Sequence, residues 1–207
     1  MARQALIVLL TVLGFGILVP LYKGPAFLDA RIIAAYGCIA LLFVAPASAE
    51  SFAGTELVDS PRAALTRLAF LVGFGWGVTL LVLVTAFATI NIANWHGEII
   101  KPQPELFASV LVCSLAAAAA VGTLSALLAR TLTASLVKGI LRIVFLAVLL
   151  AFAFSSRLPD AWQIALAEHS TRRAITRLGW EISAICAVVA LVLLIPLLKK
   201  PASTARA

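Results

Sequence analysis

Apolar and polar positions are separated into long blocks along this chain. Apolar stretches follow one another, and the short segments between them hold nearly every charged residue. A helix needs about 20 residues, at about 1.5 Å rise per residue, to cross a hydrocarbon core of about 30 Å. Six stretches approach that length and predict an all-α polytopic membrane protein, a bundle of six transmembrane helices with short loops: residues 5–22, 32–49, 68–92, 106–128, 140–154 and 182–198.

Two of these stretches need a closer argument. The first follows Arg3 like a signal peptide, but Pro20 and Lys23 stand where a small-residue cleavage site would be needed, so we expect a retained helix. A later candidate cleavage site, at residues 47–49, would require a signal containing two apolar segments. The fifth stretch has about 14 uncharged residues between Arg142 and Arg157, and it spans only if those arginines extend to the two interfaces.

Composition excludes a soluble protein. Hydrophobic residues make up 63% of the chain and charged residues 12%, with a mean hydropathy of +1.10, against about half apolar and a quarter charged in soluble domains. The loops are too short for a second core, so residues 1–207 are expected to form a single six-span domain. The net charge of +7 suits anionic lipid headgroups, and we expect no nucleic-acid partner.

The loops indicate an orientation. Cytoplasmic loops retain Lys and Arg during insertion, and an arrangement with the N-terminus inside has the larger number of cations on the inner side. Residues 129–142 contain cations and no acid, and Lys199 and Lys200 close the last stretch. We expect an integral protein of a bacterial cytoplasmic membrane with both termini in the cytoplasm. Residues 172–177 oppose this bias, and they belong either to an interfacial helix or to an extension of the last span.

Small residues predict how the helices pack. Because lipid tails remove the hydrophobic drive for association, helices in membranes approach closely through small side chains. The fourth span has such a residue every four positions on one face, which predicts a central, helix-packing role: Ser114, Ala118, Gly122 and Ala126.

Glycines and prolines mark further positions. The first and third spans share a Gly-Phe-Gly element, at residues 14–16 and 73–75, and the second is extended by Trp76-Gly77. Packing is one interpretation of Gly73, Gly75 and Gly77, and a hinge or opening in a pathway is the other. Prolines near the ends of three spans predict helix ends, at Pro20, Pro46 and Pro196, whereas Pro61 is expected to begin a helix that leads into the third span.

Polar residues near membrane depth are few. Glu181 stands at the entry to the last span, four residues after Arg177. This spacing favours a structural ion pair, and a proton-relay carboxylate in a pathway is the alternative. Asn91 and Asn94 close the third span and form either an interfacial collar or the mouth of a pathway.

Candidate chemistry is absent from the sequence. Membrane proteolysis needs a serine with a histidine, paired aspartates or a zinc motif at membrane depth, and the spans contain none of these. The cysteines fall inside predicted spans without metal-ligand spacing, at Cys38, Cys113 and Cys186. We expect no enzyme, no catalytic or metal-binding residue and no cofactor.

Two functions remain. The order of elements is similar in outline to the membrane subunit of an ABC-2-type exporter, whose ATPase is a separate chain, although no motif carries the likeness. It implies a permease-like subunit associated with transport, without an ATPase of its own. The alternative is an accessory or scaffold subunit. The expected partners are the lipid bilayer and either other membrane subunits or a separate ATPase chain.

Overall fold

A computed structural model describes residues 2–24, 29–52, 61–93, 103–133, 135–136, 139–140, 143 and 171–198. All regular secondary structure in these segments is helical. The elements are α1 (Ala2–Thr11), a π-helical segment (Val12–Leu18), α2 (Val19–Lys23), α3 (Ala30–Gly37), α4 (Ile39–Phe52), α5 (Pro61–Ile92), α6 (Pro104–Thr131) and α7 (Arg172–Leu198).

Five helical segments within the described residues are long and apolar enough to cross a membrane: Ala5–Tyr22, Ala30–Phe52, Pro61–Ile92, Pro104–Ala129 and Arg172–Leu198. They match the first four and the last of the predicted spans. The predicted fifth span, residues 140–154, lies outside the described residues except at positions 140 and 143. The described residues are therefore all-helical, with five apolar helices compatible with membrane insertion.

Helices α5 and α6 are antiparallel. The indole Nε1 of Trp76, in the middle of α5, donates at 3.0 Å to the carbonyl of Leu111, in the first third of α6. The Phe87 ring, near the end of α5, meets the Phe107 ring, near the start of α6, at 6.0 Å between centroids.

Helices α6 and α7, in contrast, are parallel. A methyl group built on Gly179, near the start of α7, would lie 3.1 Å from Oγ of Ser109, near the start of α6. Leu197, near the end of α7, is buried in one cluster with Ala126 and Ala129, near the end of α6. Both helices therefore run from the same side of the bundle to the other.

The remaining contacts define two ends of the bundle. Gly16 lies against Thr85 late in both the first span and α5, whereas Arg67, early in α5, bonds to Ser51, late in α4. The side of the bundle where α1 and α5 begin, and where α4, α6 and α7 end, is called the "near end". The opposite side is called the "far end". The chain ends of the described part, Ala2 and Leu198, thus lie on the same side of the bundle.

Helix α6 lies against four neighbouring helices, and small residues make room for that packing. The largest buried cluster joins α4, α5, α6 and the end of α7, and includes Val44, Leu68, Ala118 and Ala126. In contrast, only 11% of the first and last spans is buried, against 50% of Ala30–Phe52. The first and last helices therefore present broad apolar faces outward, as lipid-facing helices do.

Several helix boundaries differ from the apolar stretches. Helix α5 begins at Pro61, as predicted, and α7 begins at Arg172, so residues 172–177 extend the last span. The prediction that Pro46 ends its helix is wrong, because α4 continues through it to Phe52, and α7 similarly continues past Pro196 to Leu198. A proline inside a membrane helix is tolerated because neighbouring helices can satisfy the carbonyl that it releases.

The second span begins at a capped terminus at the far end. The Asp29 carboxylate accepts the backbone N–H of Arg31 at 2.8 Å, which is the geometry of a helix N-cap. The Arg31 guanidinium also donates to both carboxylate oxygens, at 3.0 and 2.8 Å. This side-chain bond, more than any other interaction, lowers the pKa of Asp29 below its ordinary value.

Candidate functional site

The first span is irregular at its Gly-Phe-Gly element. Residues Val12–Leu18 form a π-helix, in which each backbone hydrogen bond joins residues five apart instead of four. Gly16 is buried, and a methyl group on it would lie 3.1 Å from the side chain of Thr85 on α5, whereas a methyl group on Gly14 would meet nothing within 4 Å. The element therefore combines a wide helical turn with one close approach to a neighbouring helix.

Side chains of two other helices reach the carbonyls of this π-helix. The Tyr36 hydroxyl on α3 donates to the carbonyl of Phe15 at 2.6 Å, and the Tyr36 ring meets the Phe15 ring edge to face at 6.0 Å. The Thr89 hydroxyl on α5 lies 3.0 Å from the carbonyl of Gly16 and 2.8 Å from that of Thr85 in its own helix. Hydrogen bonds to carbonyls at membrane depth are valuable because lipid offers no donor in their place.

The regular α-helical hydrogen bonding of the second span is interrupted beside Tyr36, at Cys38, which keeps helical backbone angles. We call this interruption the break. Helix α3 ends at Gly37 and α4 begins at Ile39, with the Cys38 N–H donating to the carbonyl of Ala35 at 3.1 Å. A methyl group on Gly37 would lie 3.0 Å from Cγ1 of Val110 on α6. The break of the second span and the π-helix of the first therefore adjoin, with Tyr36 as the direct link between them.

Two buried hydroxyls lie where α6 packs against the second span, Ser48 on α4 and Ser114 on α6 opposite α3. Oγ of Ser48 and Oγ of Ser114 have no hydrogen-bond partner among the described residues, and both serines are buried. Ser114 faces the break, since its Cβ would be 3.9 Å from a methyl group on Gly37. An unpaired hydroxyl in an apolar interior costs about 1–3 kcal/mol by mutational measures.

The predicted small-residue stripe of α6 lies on a buried face: Ser114, Ala118, Gly122 and Ala126. A methyl group on Gly122 would lie 2.8 Å from Cγ1 of Val44 and 3.2 Å from Cδ1 of Leu68, so α4 and α5 both approach it closely. That this stripe determines assembly stays a prediction.

The three glycines of α5 do not share one environment. A methyl group on Gly75 would overlap Cγ2 of Val44 and lie 3.0 Å from the carbonyl oxygen of Ala40, while methyl groups on Gly73 and Gly77 would meet nothing within 4 Å. Gly75 is thus a point of close approach to α4, and Gly73 and Gly77 lie together on the outward face of α5.

Three of the remaining predicted site residues lie near the far end: Asn91, Arg177 and Glu181. The Asn91 amide donates to the carbonyl of Phe87 in its own helix at 3.0 Å, and Asn94 lies outside the described residues. Nε of Arg177 donates to Oε1 of Glu181 at 2.8 Å, one turn apart on the exposed surface of α7. In the described part of the chain, neither Arg177 nor Glu181 is among the residues that bond to the π-helix or at the break.

The described part of the chain contains no group of three or more His, Cys, Asp or Glu side chains that could hold a metal ion. Cys38, Cys113 and Cys186 are free thiols on three different elements.

The side chains that donate hydrogen bonds from one helix to another were not among the sequence-predicted sites. Tyr36, Thr89 and Trp76 each donate to a carbonyl of another helix. The Gly-Phe-Gly element pointed to the location, but nothing in the sequence identified the donors, because they come from helices far away along the chain.

Comparison with known proteins adds no relative. No protein-family model matches the chain, and neither the curated proteins nor the solved structures contain a match.

Proposed function

We propose that the chain crosses the membrane six times. Helix α6 ends at the near end and α7 starts at the far end, because the two are parallel. The chain between Thr131 and Arg172 must therefore return across the thickness of the bundle. Residues 140–154, predicted as a span from their apolar character, are the part of this connection suited to the return.

Cysteine labelling tests this proposal. The test starts from a variant without the three native cysteines. Thr133→Cys then adds one exposed thiol at the start of the connection, and Thr171→Cys, in a separate variant, adds one at its end. A membrane-impermeant maleimide is expected to label them from opposite sides of sealed vesicles. Labelling of both from the same side would contradict a sixth crossing.

We infer that the protein is a permease-like integral subunit associated with transport, in a bacterial cytoplasmic membrane with both termini inside. The supporting observation is the pair of irregular helices joined by the Tyr36–Phe15 hydrogen bond. π-helical turns often occur at functional sites, and the hydrogen bond from Tyr36 joins the π-helix directly to the second span. No nucleotide-binding loop occurs in the sequence, so the energy source would be a gradient or a separate ATPase chain.

A second candidate is a non-transporting accessory or scaffold subunit. The broad outward faces of the first and last spans favour it, since they offer apolar surface to another membrane protein as readily as to lipid. The close packing of α4, α5 and α6 around Gly75 and Gly122 also favours the accessory role, because helices packed this closely form a rigid bundle.

Purification of the tagged protein from its native membrane in mild detergent, followed by mass spectrometry, separates the two candidates. Stoichiometric recovery of an ATPase supports the transport-associated subunit, and recovery of other membrane subunits without an ATPase supports the accessory role. If the chain is recovered alone, flux into proteoliposomes tests an independent carrier.

The Tyr36→Phe variant makes this comparison specific to the irregular helices. In a transport subunit it should alter the partner's ATP hydrolysis or the measured flux at normal complex yield. In a scaffold it should leave both unchanged. Thr176→Val is the matched control, because the Thr176 hydroxyl bonds only locally, to the Arg172 carbonyl on an exposed surface.

A further inference from the structure

An open groove lies on the outer side of the first turns of α5, at the near end. This shallow surface depression has a volume of about 640 Å³, and the described residues that line it are Arg62, Ala63, Thr66, Arg67 and Phe70. Two guanidinium groups, a hydroxyl and a phenyl ring thus share one surface within three helical turns. Positions 62, 66 and 70 fall on the same helix face because they are spaced four residues apart.

One of the two arginines is held in place by its neighbours. Nη1 of Arg67 donates to the carbonyl of Ser51 at 2.9 Å, and its guanidinium carbon lies 5.9 Å from the centroid of the Phe52 ring. A guanidinium has five N–H donors, so this arrangement orients Arg67 and leaves donors for a second acceptor. Arg62 extends from the exposed face beside it.

The groove continues into an apolar surface at membrane depth. Phe70 is 71% exposed, although its ring is fully apolar. It lies about 12 Å along the helix from Arg62, and Gly77 about 22 Å, at 1.5 Å per residue. Gly73 and Gly77 leave open space on the same side of α5. Along this face, the two arginines are therefore followed by the Phe70 ring and then by the open surface at the two glycines, over the depth of one lipid leaflet.

We propose that this face binds an anionic phospholipid. The phosphate would accept hydrogen bonds from Arg62 and Arg67, whereas the Thr66 hydroxyl donates to the carbonyl of Arg62 in its own helix at 2.9 Å. One acyl chain would lie past Phe70 along the open surface at Gly73 and Gly77. Basic groups at a membrane interface bind anionic headgroups in this way. This site is independent of the proposed transport function.

Two other occupants fit the face less well. A free phosphate ion would use the arginines but would leave Phe70 without a contact. A second helix docking at Gly73 and Gly77 would use the glycines, but the charged and hydroxyl side chains of the first two turns would gain nothing from it. The succession of cationic and apolar groups matches a lipid, which has both parts.

Native mass spectrometry of the delipidated, full-length protein tests the proposal. Phosphatidylglycerol is added to the protein in detergent and its bound fraction is compared with that of phosphatidylcholine. We expect a preference for phosphatidylglycerol, weakened about fivefold by Arg62→Gln, which corresponds to about 1 kcal/mol for one cation near an anionic surface. Phe70→Ala should also weaken it, without a change of charge.

Arg173→Gln is the matched control, because Arg173 is likewise exposed in the first turn of a long helix but lies at the far end. Three results would overturn the proposal. Equal losses in Arg62→Gln and Arg173→Gln would indicate unspecific attraction by charge. Full competition by inorganic phosphate would indicate an anion site alone. Efficient disulfide crosslinking of two copies through Gly77→Cys, in a variant without native cysteines, would assign the face to a helix interface.

Discussion

The contrast between Gly75 and Gly77 gives the sharpest test of the packing. Both lie in the middle of α5, two residues apart, within Gly-Phe-Gly-Trp-Gly. A methyl group on Gly75 would overlap Val44 and press to within 3.0 Å of the carbonyl oxygen of Ala40, whereas on Gly77 it would meet nothing within 4 Å. The same substitution, glycine to alanine, therefore adds a clash at one position and only exposed apolar surface at the other.

The expected magnitudes follow from two opposing effects. Alanine in a helix interior is favoured over glycine by about 0.5–1 kcal/mol, and this gain applies to both positions. Overpacking a core costs about 1–3 kcal/mol, and the upper part of that range applies to Gly75, because one of the atoms in the way belongs to the backbone of α4. The two variants should therefore differ in unfolding free energy by about 2–3 kcal/mol, with Gly75→Ala less stable than the parent protein and Gly77→Ala at least as stable.

Equilibrium unfolding in mixed micelles measures this difference. The purified variants are titrated with a denaturing detergent, and helix loss is followed by far-ultraviolet circular dichroism. Since every 1.4 kcal/mol is a factor of ten in an equilibrium constant, a difference of about 2–3 kcal/mol shifts the unfolding equilibrium by about 30- to 150-fold. Gly73→Ala serves as a second open control. Equal stability of Gly75→Ala and Gly77→Ala would refute close packing of α4 against α5 at this glycine.

Three further substitutions test separate features. Asp29→Ala should destabilise the protein by about 1 kcal/mol at neutral pH through loss of the helix cap. Because folding lowers the pKa of Asp29, its carboxylate stabilises the fold fully above the ordinary pKa and loses this effect as the pH falls through the lowered pKa. The difference in thermal unfolding between the variant and the parent protein should therefore narrow with falling pH. Tyr36→Phe should cost about 1–3 kcal/mol in detergent unfolding, because it leaves the Phe15 carbonyl without the phenol donor; a stability equal to the parent protein would show that the hydrogen bond does not hold the π-helix. Glu181→Gln should change stability by less than about 1 kcal/mol, since the ion pair that it breaks is exposed; complete loss of function at normal expression would instead make Glu181 a functional residue.

The pattern of apolar residues was enough to locate the long apolar helices. Apolar blocks located the five described spans, because their length and lack of charge reflect the thickness of the hydrocarbon core. The spacing of small residues identified the buried face of α6 around Ala118 and Gly122, since those positions repeat at the period of a helix. Pro61 likewise marked the start of α5, where a proline needs no hydrogen-bond partner for nitrogen.

Which surfaces of these helices meet became visible only in the folded bundle. Hydrophobicity cannot distinguish the inside of the bundle from its lipid-facing outside, because both surroundings are apolar. The sequence therefore did not show that Gly75 packs against α4 while Gly77 faces outward. The parallel packing of α6 and α7 and the hydrogen bond from Tyr36 to Phe15 also join residues far apart along the chain. Such contacts depend on the close fit of one helix against another, and that fit exists only once the bundle is assembled.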